Sequence, residues 1–192
     1  MRFVVFDTET TGFNPGSICQ LSYILHDDRI GLLGGRNYYF TVDYVEPGAQ
    51  KIHGLSVTKL NQLSGGQTFH AHASDIAADF NSCQLLVAHN VSFDSRFIKA
   101  EFKRARVTLR TSESFCTMKE LADVCQLSYS GFGNKWPKLG ELARRLSISD
   151  GEIKALASKA FGIKGAFSAH DARFDSAATY LCYLSAVERG LI

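Results

Sequence analysis

The chain has 192 residues, 45% of them apolar, and a formal net charge of +2. That length suits a single domain over 1–192, the apolar share is ordinary for a globular core, and no run of about 18 apolar residues exists to cross a membrane. So small a charge does not announce a nucleic-acid binder, yet it leaves room for a local basic patch.

Residues 2–9 read as a short apolar, β-branched strand. Residues 18–25 and 37–42 read as two more, with the turn-rich HDDRIGLLGG between them, so a three-strand meander is expected. HASDIAADFNS then reads as a helix with Ser74 as N-cap. LLVAH, 85–89, reads as a strand and 92–104 as a helix. Further helices are expected over 117–125, 138–146 and 172–189. SDGEIKALASKAFGIKGAF carries an extra helix through Ile153, Leu156, Ala157 and Ala160, capped by Ser149 or Asp150, as an insertion over about 149–167. It is either a lid or packing. Trp136, just before the 138–146 helix, reads as a core residue, with stacking on a base as the alternative. Strands first, then strands alternating with helices, indicate an α/β domain with a mixed sheet.

The cysteines, Cys19, Cys83, Cys116, Cys125 and Cys182, are five in number and form no CxxC pair. They read as free thiols in a reducing compartment. With no charged-then-apolar leader at the N-terminus, a cytoplasmic location is expected. The six basic residues from Arg96 to Arg110 are either a solvated helix face or a local binding patch. His70 and His72 lack the two further neighbours a zinc site needs. QLSYS at Gln126 lacks the apolar and aromatic ending of a sliding-clamp-binding peptide.

Three places carry chemistry. Asp7 and Glu9 end the first strand two residues apart, so they share one face with Cα atoms roughly 6–7 Å apart. They are either ligands of a hard divalent cation or a polar strand end before the turn at Thr11-Gly12. In AHNVSFDSRFI the helix is capped by Asn90 or Ser92. Asp94 shares an inward face with Ile98 and Phe102. It is either paired or metal-bound, or an acid answering the helix dipole. In SAHDARFDSAATYL, Asp175 opens the last helix on a narrow face with Thr179, Cys182 and Ala186. His170 lies in the preceding loop, as a functional or merely capping residue.

Taken together, FDTETTG, HNVSFDSRFI and HDARFDSAA resemble the motifs of the DnaQ-like 3′–5′ exonucleases of the DEDDh class, and AQKIHGLS resembles the segment between the first two. The likeness spans residues 2–188, and it is similar within that class to the proofreading epsilon subunits of bacterial DNA polymerase III. It implies a ribonuclease H-like fold, a five-stranded mixed sheet flanked by helices. It implies two divalent cations, Mg²⁺ or Mn²⁺, held by Asp7, Glu9, Asp94 and Asp175, with Asp7 bridging. His170 is the implied general base on the attacking water, since the tyrosine of the sister DEDDy class is replaced here by Asp171. Thr8, Thr10, Phe13, His53 and Asn90 are the implied contacts to the strand. The implied activity is hydrolysis of single-stranded DNA from its 3′ end to 5′-mononucleotides, in proofreading or repair, with a DNA polymerase as partner and no membrane. An RNA 3′-end trimmer is the same-chemistry alternative, and a silent nucleic-acid-binding domain a third. One departure bears on that choice. Where polymerase relatives have a sugar-contacting acid, this chain has Gly48, with Glu46 two residues further off.

Overall fold

The apolar run Phe3–Phe6 makes β1 (Arg2–Thr10) the middle strand of a five-stranded sheet, in the order β3-β2-β1-β4-β5. A computed structural model of the chain describes residues 1–14, 16–110, 113–127, 135–162 and 168–192. β1 pairs antiparallel with β2 (Ile18–Asp27), which pairs antiparallel with β3 (Gly31–Tyr39). On its other side β1 runs parallel to β4 (Leu85–Ala88), and β4 to β5 (Glu113–Cys116).

Both faces of β1 are covered, and alternation decides what each face meets. Val4 and Phe6 point into a core shared with α3 (Phe69–Asn81) and α4 (Val91–Ala105). Phe3 and Val5 point to the opposite core. It is built from α7 (Leu139–Arg145), α8 (Asp150–Phe161) and α9 (Ala172–Glu188). Asp7 and Glu9 continue the odd-numbered face, so the strand delivers them toward α9. On α9, Thr179, Cys182 and Ala186 are fully buried, and these small side chains let the helix lie close to the sheet.

Several elements differ from what the sequence predicts. The turn-like HDDRIGLLGG is mostly strand: the turn is confined to Asp28–Ile30, and β3 begins at Gly31. The glycines are there for backbone and space. Gly31 and Gly34 have positive φ, and a Cβ on Gly35 would come within 2.7 Å of the Phe161 ring. α3 starts at Phe69 with Thr68 at the N-cap, not at Ser74. The expected 117–125 helix breaks at Leu121 into α5 (Thr117–Glu120) and α6 (Ala122–Cys125). Three elements went unread: α1 (Pro47–His53), α2 (Val57–Ser64) and β5. The helices had signals, with Pro47 opening α1, Ser56 capping α2, and Gly54 and Gly65 closing them in left-handed conformations.

α8 has Ser149 as N-cap, its hydroxyl accepting from the Glu152 N–H at 3.3 Å. Ile153, Ala157 and Ala160 bury in the core shared with α9, and Phe161 packs on β3, so α8 itself is part of the packed body of the fold. The end of the 149–167 segment, residues 163–167, lies outside the described residues, as does most of QLSYS. Trp136 is not in the core. It is 56% exposed, at the wall of a cavity that Asp7 and Asp94 also border. Among the described residues no helix is long and apolar enough to cross a membrane.

Candidate active site

Three elements converge where β1 ends. β1 supplies Asp7 and Glu9. The first turn of α9 supplies Asp175. One carboxylate oxygen from each lies within 4.8 Å of the others. α4 begins directly after β4 and carries Asp94 in its first turn, 3% exposed. The Asp94 Oδ1 accepts from the Thr8 hydroxyl at 2.7 Å and the Thr8 N–H at 3.1 Å. These bonds tie the α4 carboxylate to β1 beside the other three. His170 is exposed at the rim, in a left-handed conformation with φ 67°, and its backbone N–H donates to Asp175 Oδ2 at 2.8 Å. All five residues border one open cavity of about 810 Å³.

The charges in this cluster oppose one another. Burial pushes the Asp7 carboxyl well above the usual range, and the charges of Asp175, Asp94 and Glu9 add to it. Burial, then Asp175 and Asp94, raise Glu9 to about 9. Asp94 is pushed up to about 7 by burial against the downward pull of the Thr8 bonds. Asp175 also reaches about 7, burial outweighing its bond from the His170 N–H. Among the described residues no lysine or arginine forms an ion pair with any of the four. Clustered oxygen donors that no basic side chain neutralises are the donor set that Mg²⁺ or Mn²⁺ takes. The residues therefore fit a divalent-cation site.

A smaller pocket of about 160 Å³ adjoins the cluster, lined by Thr8, Thr10, Phe13 and His53 together with Ala49, Ile52 and Phe93. His53 Nδ1 accepts from the Leu55 N–H at 3.1 Å, so Nε2 carries the proton and donates to the Thr10 carbonyl at 3.2 Å. Burial lowers its pKa, which keeps the ring neutral. Phe13 is 69% exposed at the mouth. Glu46 packs against Gly12, where an added Cβ would collide with its carboxylate, so the acid lies near this pocket despite its shifted position. Asn90 sits at the N-cap of α4 with φ 73° and makes no side-chain cap bond. Its side chain borders the large cavity.

The family model described as exonuclease, RNase_T, matches residues 4–152. The chain belongs to that exonuclease family. This agrees with the DnaQ-like reading of FDTETTG and HNVSFDSRFI. The DNA polymerase III subunit epsilon of Rickettsia felis is 28% identical over 162 residues, covering 78% of this chain and 64% of the relative. The same subunit of Haemophilus influenzae is 28% identical over 157 residues, covering 78% and 58%. The chain thus spans less than two thirds of the length of these relatives. Among solved structures, exonuclease I matches with a TM-score of 0.74 at 19% identity, over 97% of this chain and 41% of that one. E. coli exonuclease I in complex with a 5cy-dA13 oligonucleotide matches at 0.73 and 19%, over 97% and 40%. With the sheet order above, these matches establish the ribonuclease H-like fold of this exonuclease-family chain.

Three residues bordering the site, Phe93, His89 and Arg144, were not read from the sequence. Phe93 lines both cavities and was legible, since it stands beside Asp94 in the same motif. Arg96, the first of the six basic residues already singled out, places its guanidinium 5.6 Å from the centroid of the Phe93 ring. His89 carried no signal. Its Nε2 donates to the Pro137 carbonyl and its Nδ1 accepts from the Thr117 hydroxyl, both at 3.0 Å, and burial lowers its pKa to about 4. Arg144, on α7, borders the cavity from the far side.

Proposed function

We propose that the chain is a divalent-cation-dependent 3′–5′ exonuclease that removes 5′-mononucleotides from single-stranded DNA ends. The observation that carries this is the convergence of Asp7, Glu9 and Asp175 oxygens within 4.8 Å, with no basic partner among the described residues. Asp94 stands beside them, bound to Thr8. These four carboxylates would hold two cations, Mg²⁺ or Mn²⁺, whose Lewis acidity makes water a nucleophile and stabilises the leaving 3′ oxygen. His170 takes the proton from the attacking water at a ring nitrogen; its exposure leaves the imidazole free to exchange that proton with solvent. The Asp175 carboxylate fixes the His170 backbone, which aims the ring.

The smaller pocket takes the terminal nucleoside. Thr8 and Thr10 present the end of β1, Phe13 closes the mouth, and His53 braces the Thr10 carbonyl. Asn90 contacts the strand in the larger cavity. Seating a terminal nucleoside in this pocket calls for a free terminus, which makes the enzyme an exonuclease and not an endonuclease. The carboxylates would serve RNA equally. DNA is favoured because the neighbouring fold was solved as exonuclease I with DNA oligonucleotides. A polymerase partner is proposed from the epsilon-subunit relatives.

The test is a parallel digest of 5′-labelled DNA and RNA oligomers of one sequence in Mg²⁺. DNA is expected to shorten stepwise from its 3′ end and a 3′-phosphate to slow it. Faster loss of the RNA would exchange the substrate, and cutting of a closed circular strand would sink the exonuclease reading.

A further inference from the structure

We propose that Trp136 is a stacking platform for a nucleobase on the 5′ side of the scissile phosphate. This rests on the exonuclease reading above and extends it to a part of the cavity that reading leaves unused.

Topology comes first. The terminal-nucleoside pocket lies beside Phe13 and His53, and the carboxylates lie next to it. A strand seated there can run on through the remainder of the large cavity, which the carboxylates themselves border. That remainder is walled by Met118, Trp136, Lys138 and Arg144. Trp136 is the large aromatic of that wall, and more than half its surface is open to solvent.

The ring is also held in place. Pro137, the next residue, is fixed through its carbonyl to His89 at 3.0 Å. The N–H of Lys138 donates to Glu141 at 2.7 Å, and Lys135 pairs with the same carboxylate at 3.4 Å. Both sides of Trp136 are thus anchored, which lowers the ordering cost of stacking a base on it. Lys119 places its ammonium 5.2 Å from the ring centroid. A cation on one face polarises the ring and leaves the other face for a base. Lys138 and Arg144 border the cavity and offer the strand's phosphates cationic partners, while Glu141 beside them is paired with Lys135. Every base has a π-face, so such a platform holds a strand without selecting its sequence.

Trp136 is the one tryptophan in the chain, so its fluorescence reports on this site alone. Adding a dT oligomer to the wild type in Ca²⁺ is expected to quench it. Steady-state rates then compare a dT oligomer with the p-nitrophenyl ester of thymidine 5′-phosphate, which occupies only the terminal pocket. Trp136→Ala is expected to lose roughly 5- to 150-fold in kcat/KM on the oligomer, mostly through KM. Its loss on the ester is expected to be several-fold smaller, and Trp136→Phe to recover most of the oligomer rate. No quench, equal losses on both substrates, or a Phe variant no better than Ala would overturn the platform. If the Ala variant fails to fold, the wild-type quench and the Phe variant still decide. A wild type that cleaves neither substrate overturns the exonuclease reading itself, and the platform with it.

Discussion

Asp171 and Asp175 stand one helical turn apart at the start of α9, and their surroundings treat them in opposite ways. Burial pushes the Asp171 carboxyl up, but hydrogen bonds from the Arg173 side chain and backbone, with its charge, outweigh that and hold it below the usual range. It pairs with Arg173 at 2.6 Å, accepts from Gln20 at 3.1 Å and caps the helix. Asp175 faces Asp7 and Glu9 and is pushed up to about 7 by burial. One carboxylate has its cation built in; the other faces further carboxylates, and the proposed function gives it a cation from outside. Equal residue types in one turn thus meet opposite surroundings, and the neighbour across space decides which.

The comparison breaks most sharply on removal of the unpaired acids. Asp175→Ala and Asp7→Ala are expected to reduce cleavage to background and to weaken Mn²⁺ binding in calorimetric titration. Chelation of the wild type is expected to do the same, with recovery on adding Mg²⁺ or Mn²⁺. A purified Asp7→Ala that degrades single strands at the wild-type rate would end the cation reading.

His170 tests a different role beside the same carboxylate. His170→Ala is expected to lose about 10²–10⁴-fold in rate while keeping Mn²⁺ affinity. Raising the pH is expected to restore part of that rate, since hydroxide needs no base, whereas Asp175→Ala gains nothing. Mn²⁺ affinity falling as far as in Asp175→Ala would make His170 a ligand instead.

The raised carboxyls also set a pH dependence of stability. In the folded chain Glu9 titrates at about 9 against 4.5, and Asp94 and Asp175 at about 7 against 3.8. Between those values the folded state binds more protons than the unfolded one. Their contribution is fully present below the unfolded values and is lost as pH rises through the folded ones. In chelator, the melting temperature is therefore expected to fall as pH rises across that window. Mg²⁺ or Mn²⁺ is expected to raise it most at the alkaline end, and Glu9→Gln to flatten the slope. A wild-type slope unchanged by Glu9→Gln would remove Glu9 as its source.

The smallest effect belongs to the paired acid. Asp171→Ala removes a helix cap and the partner of Arg173, at a cost of about 1–3 kcal/mol in urea denaturation near neutral pH. A depressed carboxyl contributes above its unfolded pKa and loses that contribution toward acid, so the cost is expected to shrink as pH falls. Mn²⁺ affinity is expected to fall far less than in Asp175→Ala. Equal losses would erase the distinction between the two residues.

Much of this architecture is local and could be read from the chain. Alternation along Phe3–Glu9 assigned Asp7 and Glu9 to one face. Helical spacing put Asp94 with Ile98 and Phe102, and Asp175 with Thr179, Cys182 and Ala186. Ser149 announced α8. These patterns survive because each is set by residues within one or two turns. What lay beyond them depends on partners far along the chain. β5 is four residues that become a strand only beside β4. The glycines of β3 look like a turn until Phe161 packs on Gly35. His89 acquires its partner 48 residues away at Pro137. Trp136, next to Pro137, stands exposed at the cavity wall, where the sequence favours the core over stacking on a base. Sequence periodicity reports which side of an element is apolar; it cannot report what the other end of the chain brings against it, and here that is what closes the site.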